Sequence, residues 1–224
     1  MVIFPNNGKF ERIVLSEGEF FLISTDDKEV VLVLLSGKIE AGIYTITRSD
    51  VFSGGSQGFV AANQGEINIV AKKDSEFCLV EVGSKSSVDL TRLNSFNCES
   101  VGRSNTSREV SRVADASVGL RNLIVGETIS LAGNWSSWPP HKHDTFHSEE
   151  ESSQEEVYFY KFSNQRGFGI QMLDDDVYLV RENEEFKIEK GHHPIVASPY
   201  SEMYYLWALY GDNSFFKVRY RGEG

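Results

Sequence analysis

The stretch "FKIEKGHHPIVA", residues 186–197, aligns at a constant offset with "VAANQGEINIVA", residues 60–71. The alignment pairs Gly65 with Gly191, and both stretches end in the same apolar "IVA". Self-similarity of this kind indicates that one structural unit occurs twice along the chain. We therefore expect two related domains.

The residues around this repeat form short apolar runs that are rich in β-branched and aromatic side chains and are separated by Gly, Asp, Asn and Ser. Runs of this length and composition are typical of β-strands. They lie at 19–24, 29–37, 38–47, 67–71, 77–82, 120–133, 155–162, 167–173, 176–182, 193–198 and 202–211. The sequence therefore predicts an all-β fold.

A polar segment rich in Ser and Asn, residues 83–112, separates the two sets of runs and predicts a linker with one short helix near 87–93. We place the first domain at 1–95, the linker at 96–112 and the second domain at 113–224. Inside the second domain, the acidic stretch 144–154 predicts a solvated loop.

The charge balance excludes several classes of partner. The chain has 22 Lys and Arg against 33 Asp and Glu, a net charge of −11, which repels nucleic acid and acidic membrane surfaces. The two cysteines, Cys78 and Cys98, have no metal-binding spacing and read as reduced thiols. The first residues lack a secretory signal pattern, so we expect a cytoplasmic protein.

The five histidines cluster late in the chain, at positions 141, 143, 147, 192 and 193. Two of them end the stretch "NWSSWPPHKHD", residues 134–144. Side chains alternate between the faces of an extended segment, so His141 and His143 share one face while Lys142 points to the other. Such a pair can bind one metal ion through two imidazole nitrogens.

A carboxylate on a neighbouring strand would supply a third ligand. The run "EEVYFYKF", residues 155–162, offers Glu155 and Glu156 on opposite faces. We select Glu156 because it shares its face with Tyr158 and Tyr160, which can line a pocket.

His193 is the predicted fourth ligand, because its counterpart in the repeat, Ile67, lies in an apolar run that should face the interior of the first domain. His192 reads as a turn residue and His147 as part of the acidic loop. No histidine precedes position 141, so the first domain is expected to keep the fold without the metal.

The order His-x-His, Glu and His within glycine-punctuated strands resembles the metal-binding pattern of the cupin superfamily, whose barrels are double-stranded β-helices with the metal inside. More specifically, the chain is similar to the 5-deoxy-glucuronate isomerase family of myo-inositol catabolism, a two-cupin (bicupin) fold. The segments that carry this resemblance are 32–42, 48–66, 133–144, 155–162, 167–171, 191–199 and 204–211. The resemblance implies the ligand set His141, His143, Glu156 and His193, the same four residues.

The resemblance implies a metal-dependent aldose-ketose isomerase that converts 5-deoxy-glucuronate to 5-dehydro-2-deoxy-gluconate, with Zn²⁺ or Mn²⁺ as the cofactor. The proton carrier is left open among Glu155, Glu156, a metal-bound hydroxide, and a tyrosine such as Tyr158 or Tyr205. The expected partner is a small-molecule sugar acid, and a homo-oligomer is compatible with the sequence.

The carboxylate of the sugar acid requires a cation, for which Arg166 and Arg108 are the candidates, each with a plain surface role as its alternative. Gln171 and Trp135 are further candidates for the substrate pocket.

Three other functions compete with this hypothesis. A related 5-keto-4-deoxyuronate isomerase would share the fold and the metal site. A cupin dioxygenase would use iron and O₂ in the same barrel. A non-catalytic sugar-binding protein would bind without turnover, although such modules tend to lose ligands, and here all four are present.

Overall fold

The computed structural model describes residues 1–95, 98–148, 150–212 and 216–222. Within these ranges the chain is built of strands, and its helical elements are two 3-10 turns, Ser104–Thr106 and Ala116–Val118. The all-β prediction is confirmed. No helix in the described ranges is long and apolar enough to cross a membrane.

The strands up to the second 3-10 turn are β1 (Val2–Phe4), β2 (Gly8–Leu15), β3 (Phe20–Ser24), β4 (Lys28–Ala41), β5 (Tyr44–Arg48), β6 (Ser56–Ala62), β7 (Glu66–Gly83), β8 (Val88–Ser95), β9 (Cys98–Val101) and β10 (Arg108–Ala114). Those after it are β11 (Leu123–Ser130), β12 (Trp135–Ser136), β13 (His141–Lys142), β14 (Asp144–His147), β15 (Glu151–Ser153), β16 (Glu155–Phe162), β17 (Gly169–Leu173), β18 (Asp176–Val180), β19 (Glu185–Ile188), β20 (Ile195–Ala197), β21 (Met203–Tyr210) and β22 (Arg219–Tyr220).

The chain divides into two compact units. The first consists of Met1–Asn97 and Arg112–Val125, and the second of Cys98–Ser111 and Gly126–Gly224. The predicted linker at 96–112 thus contains β9 and most of β10, which pair with each other. The chain enters the second unit, returns to the first and enters the second again, so a single boundary does not describe it.

The first unit is one eight-stranded sheet in which β2, β7, β4 and β6 are successive neighbours. Its side chains enclose an apolar cluster whose fully buried members include Leu34, Ile39 and Phe77. Ile67 belongs to the same cluster, as the repeat predicted. The first unit is therefore packed around aliphatic and aromatic side chains.

Two predicted strands of the first unit, 29–37 and 38–47, are divided differently in the structure. β4 continues through Gly37, and the chain turns only after Ala41. Gly37 has φ +101, and a Cβ there would lie 2.4 Å from the Ser75 hydroxyl on the facing strand. Glycine therefore allows a bulge that keeps one long strand where the sequence suggested a break.

The second unit contains most of a six-stranded sheet, β19-β16-β21-β11-β10-β9, and a four-stranded sheet, β12-β20-β17-β18. β16 lies between β19 and β21 and has buried residues on both faces, including Val157 and Tyr158. A second apolar cluster contains Tyr158, Tyr160 and Tyr205. This core is richer in hydroxyl groups than the first.

Two further predictions are wrong. The expected helix near 87–93 is strand β8, which pairs with β6, because pairing with a distant strand outweighs a weak local preference. The expected loop 144–154 contains the paired strands β14 and β15.

Candidate metal centre

Three elements of the second unit deliver the predicted ligands. His143 lies between β13 and β14, and Glu156 is the second residue of β16. His193 follows a turn at Gly191, which has φ +98, and lies just before β20. The amide of Gln154 donates to the His143 carbonyl at 2.8 Å, which fixes the His143 backbone beside the start of β16.

The side chains of His143, Glu156 and His193 converge inside the unit. One potential ligand atom from each lies within 4.8 Å of the others. The Glu156 Oε2 atom is 3.3 Å from His143 Nε2 and 3.4 Å from His193 Nε2. All three residues are buried. Among the described residues this is the one group that has ligand types at such spacing.

The outer nitrogen of each predicted histidine ligand bonds to a backbone carbonyl. Nδ1 of His143 lies 3.1 Å from the Gln154 oxygen, and Nδ1 of His193 lies 2.9 Å from the Gly191 oxygen. Since a carbonyl only accepts, Nδ1 carries the proton and the Nε2 lone pair faces the cluster. Metal-binding histidines are oriented in this way.

Two buried atoms of the cluster, Glu156 Oε2 and His193 Nε2, have no hydrogen-bond partner among the described residues. Leaving a buried acceptor unpaired costs free energy, and here several acceptors face one another. A cation bound between them would remove the penalty. Two imidazole nitrogens and a carboxylate oxygen suit a divalent ion such as Zn²⁺ or Mn²⁺.

Burial controls the charge states of the cluster. It lowers the pKa of His193 well below the usual value and raises the pKa of Glu156. For His143 burial opposes the charged form, but the nearby carboxylate of Glu156 raises its pKa overall. A proton bound between His143 and Glu156 would therefore compete with a metal ion for the same position.

His141 lies at the edge of the cluster. Its ring centroid is 5.0 Å from that of His193 and 6.4 Å from that of His143. Its Nδ1 lies 3.1 Å from the Pro139 oxygen, and burial lowers its pKa to about 4. The structure thus brings three of the four predicted ligands into one tight group and places the imidazole of the fourth next to it.

Tyr158 and Tyr205, the predicted catalytic tyrosines, are buried with their ring centroids 4.6 Å apart. The Tyr158 hydroxyl is 2.9 Å from the Ser137 hydroxyl, and that of Tyr205 is 2.5 Å from Ser136. Both serines belong to the stretch "NWSSWPPHKHD", and no role was predicted for them. Their position just before the His-x-His pair was the available signal.

Arg108 contacts the segment that precedes His141 in the chain. Its guanidinium donates to the Trp138 carbonyl at 3.4 Å and to the Thr106 carbonyl at 2.9 Å. Burial is the main cause of the low pKa of His141, and the charge of Arg108 lowers that pKa further. Trp135 packs against Trp138 with a centroid distance of 5.2 Å.

Gln171 and Arg166 are not at the cluster. Gln171 is fully buried, and its amide donates to the His193 carbonyl at 3.0 Å while its oxygen accepts from the Tyr160 hydroxyl at 2.9 Å. This supports a role in holding His193 rather than the predicted substrate contact. Glu156 lies near the start of β16, and the strand ends at Phe162, roughly 20 Å away along the strand. Arg166 follows that far end and is exposed.

The segment near the end of the chain contributes residues that the sequence analysis missed. Phe216 lies with its ring centroid 6.0 Å from that of His143, and Tyr220 lies 6.0 Å from His141. Strand β22 pairs with β13 through Tyr220 and His141. No periodic pattern in the sequence marked this segment as part of the site.

The two remaining histidines lie outside the cluster. His147 is exposed at the end of β14. His192 lies in the turn, and its ring is 3.1 Å from an oxygen of Asp174 rather than in the cluster. His192 thus offers a natural control for experiments on its neighbour His193.

The family model described as KduI/IolB matches residues 6–221. The chain belongs to the KduI/IolB family. The chain is similar to the 5-deoxy-glucuronate isomerase of Geobacillus kaustophilus. The two sequences are 31% identical over 217 residues, and the match covers 90% of this chain and 79% of that relative. The 5-deoxy-glucuronate isomerase of Geobacillus thermodenitrificans is 30% identical to this chain, and the match covers 94% of this chain and 82% of that protein.

Solved structures place this KduI/IolB protein in the cupin fold. An IolB-like protein from Salmonella typhimurium superposes with a TM-score of 0.87 at 24% identity, covering 96% of this chain and 87% of the other. A cupin 2 conserved barrel domain protein from Leptotrichia buccalis gives 0.57 at 13% identity, covering 94% and 86%. The predicted family and the cupin fold are confirmed, and the division into two separate barrels stays a prediction.

Proposed function

We propose that this KduI/IolB family protein is a 5-deoxy-glucuronate isomerase whose reaction depends on a divalent metal ion held by His143, Glu156 and His193, with His141 as the fourth ligand. The observation that carries the metal dependence is the pair of buried, unpartnered acceptor atoms, Glu156 Oε2 and His193 Nε2. The assignment of the reaction follows relatives that are at least 30% identical to this chain and are 5-deoxy-glucuronate isomerases.

An aldose-ketose isomerisation moves a proton between neighbouring carbons while their oxygens exchange roles. When bound, Zn²⁺ or Mn²⁺ supplies a Lewis acid that stabilises negative charge on those oxygens without redox change. The side chains must then hold the sugar, carry the proton and exclude water.

The protein groups considered as proton carriers differ in their charge states. Burial raises the pKa of Tyr158 well above its usual value and also raises that of Tyr205, so both hydroxyls stay protonated at neutral pH and act as hydrogen-bond donors. Glu155 is turned away and pairs with Lys187 at 2.9 Å. Glu156, whose pKa burial raises, is the remaining protein candidate for the proton carrier.

Arg108 is the better candidate for binding the carboxylate of the sugar acid. It is close enough to influence the pKa of both His141 and Tyr205, whereas Arg166 lies beyond the far end of β16. A guanidinium beside the pocket can hold a planar carboxylate through two parallel hydrogen bonds. Arg108 donates to the backbone carbonyl of Trp138, and the Trp138 ring packs against that of Trp135, so the two rings could form an apolar wall.

A direct assay tests this function. Purified protein is analysed for metals, treated with a chelator, reloaded with Zn²⁺ or Mn²⁺ and incubated with 5-deoxy-glucuronate and a panel of other uronic acids. We expect turnover of 5-deoxy-glucuronate that chelation abolishes and reloading restores. In deuterated water the product should carry deuterium at the carbon that gains the proton.

Two outcomes would contradict the proposal. A metal-loaded protein that leaves every uronic acid unchanged but consumes oxygen with iron bound would be a dioxygenase. A loaded protein that binds these sugars without converting them would be a binding protein. Turnover that survives complete removal of the metal would refute the metal dependence alone.

A further inference from the structure

Three charged side chains lie together on the side of the His-x-His segment that is opposite the metal ligands. Lys142 Nζ is 2.6 Å from Asp144 Oδ1 and 3.0 Å from Glu151 Oε1. The three side chains are 22%, 12% and 0% exposed, respectively. In this arrangement Glu151 is buried and the other two residues are partly buried. The proposed chemistry does not account for it, since none of the three residues belongs to the group of His143, Glu156 and His193.

Asp144 connects the two segments that supply the histidine ligands. While its Oδ1 binds Lys142, its Oδ2 accepts a hydrogen bond from the Gly191 amide at 2.7 Å, between residues 47 positions apart. Asp144 directly follows His143, and Gly191 precedes His193 by two residues. One carboxylate therefore joins the backbones next to both ligands.

Glu151 fixes the backbone on the His143 side of this connection. Its Oε1 accepts from the amides of Asp144 at 3.0 Å and Thr145 at 3.1 Å. The positive charge of Lys142 balances the two carboxylates in a position with little access to water. Removing one member of such a buried group leaves the others uncompensated, so the arrangement holds as a unit.

A second hydrogen bond between the His-x-His segment and the Gly191 turn is weak. The His193 amide donates to the His141 carbonyl at 3.4 Å, which is longer than an ordinary backbone bond. His193 also lies outside a regular strand, since β20 begins at Ile195. The Asp144 bond to Gly191, at 2.7 Å, is thus the short connection that sets where the turn stands relative to His143.

We infer that Asp144 is a positioning residue for the metal centre, and that its carboxylate, oriented by Lys142, sets the separation of His143 and His193. This inference rests on the proposed function, since it assumes that these histidines bind a metal ion. Residues that orient metal ligands typically change metal affinity by about 10- to 100-fold when they are removed.

The test measures metal binding without substrate. The dissociation constants for Zn²⁺ and Co²⁺ are determined by competition with a chromophoric chelator for the wild type, Asp144→Ala and Asp144→Asn. We expect about 10- to 100-fold weaker binding for Asp144→Ala. Asparagine can still accept from Gly191 but does not pair with Lys142, so about tenfold weaker binding is expected for Asp144→Asn. The visible spectrum of the Co²⁺-loaded Asp144→Ala protein should shift, reporting a changed ligand geometry.

Glu189→Ala is the matched control. It also removes a carboxylate bound to a lysine, Lys187 at 2.8 Å, but this carboxylate is 66% exposed. We expect wild-type metal affinity and an unchanged Co²⁺ spectrum. If Asp144→Ala does not fold, Asp144→Asn decides the question.

A folded Asp144 variant with lower thermal stability but wild-type metal affinity and spectrum would overturn the inference, because Asp144 would then be merely structural. A wild-type protein that binds neither ion would instead refute the metal centre itself. The two failures are therefore distinguishable.

Discussion

The two units place different residues at equivalent positions of the internal repeat. In the first unit Ile67, 9% exposed, completes an apolar cluster. In the second unit His193, 1% exposed, faces Glu156 and His143. Two similar stretches of sequence thus support a filled apolar core in one unit and a polar cluster in the other. A single side chain in the repeat marks the difference.

The cores around these positions also differ in polarity, and the core of the second unit is again the more polar. The first is built of aliphatic side chains and phenylalanines, whereas the second contains three tyrosines. Their hydroxyls pair with Ser136, Ser137 and Gln171. A core accepts buried polar atoms when each has a partner. In the second unit Glu156 Oε2 and His193 Nε2 are buried without a hydrogen-bond partner, and the proposed metal ion would bind there.

The largest effect is expected from His193→Ala. Loss of this nitrogen should weaken metal binding by more than about 100-fold and abolish turnover, since removal of a direct ligand exceeds the effect of a supporting residue. Elemental analysis should show one divalent ion per wild-type chain and none in the variant. His192→Ala, in the same turn, is the control. Metal retained by the first variant and lost by the second would reverse the assignment.

Ile67→His tests the comparison from the other unit. An imidazole buried in an apolar core without partners should lower the free energy of unfolding by about 3 kcal/mol. Urea unfolding measures this loss, and Ile67→Val, with a loss of about 1 kcal/mol, gives the effect of a small volume change. A variant of wild-type stability that binds a second metal ion would show that the first unit retains the rest of a site.

Acid should destabilise the metal-free protein through the second unit, which contains all five histidines. The pKa of His141 is about 4 in the folded chain, against about 6.5 when unfolded. The unfolded chain therefore binds more protons, and stability falls as pH drops from about 6.5 towards 4. At pH 5 the loss is up to about 2 kcal/mol. His193 acts in the same direction and His143 in the opposite one.

The check compares unfolding midpoints at pH 7.5 and pH 5, after chelation, for the wild type and His141→Ala. The variant should lose less stability on acidification. An equal loss in both proteins would place the acid-sensitive group elsewhere.

The smallest effect is expected from replacing Arg108. This substitution tests where the second unit binds the carboxylate of the substrate. Arg108→Ala should raise KM about tenfold and leave kcat within about threefold, because a remote carboxylate is bound equally in the ground and transition states. Steady-state kinetics with 5-deoxy-glucuronate measures both constants. Arg166→Ala is the control and should behave as the wild type. The opposite ranking would move the carboxylate site to the far end of β16.

Several features were predictable because they depend on local periodicity. The run 155–162 is β16 to the residue, and alternation along it places Glu156 on the same face as Tyr158. The repeat selected His193 over His192. These inferences needed only the period of a strand and the pairing of two similar segments.

Other features failed or were missed because they depend on partners distant in the chain. Residues 88–93 form part of a strand because β6 offers an edge. β4 continues through residue 37 because a glycine there leaves room for Ser75 on the facing strand. Gln171 binds the His193 carbonyl because β17 aligns it with Ile195 on β20. Phe216 and Tyr220 reach the cluster through the pairing of β22 with β13.

The sequence alone determined the strand-based fold, the acidic charge and the kinds of side chain available to a metal ion, because composition and alternation are properties of the chain itself. Only the tertiary structure decided which carbonyl fixes each imidazole and which acceptors remain unpaired. It also brought Asp144 to Gly191, 47 residues away. Such distances arise from the packing of separate strands, and no local pattern encodes them.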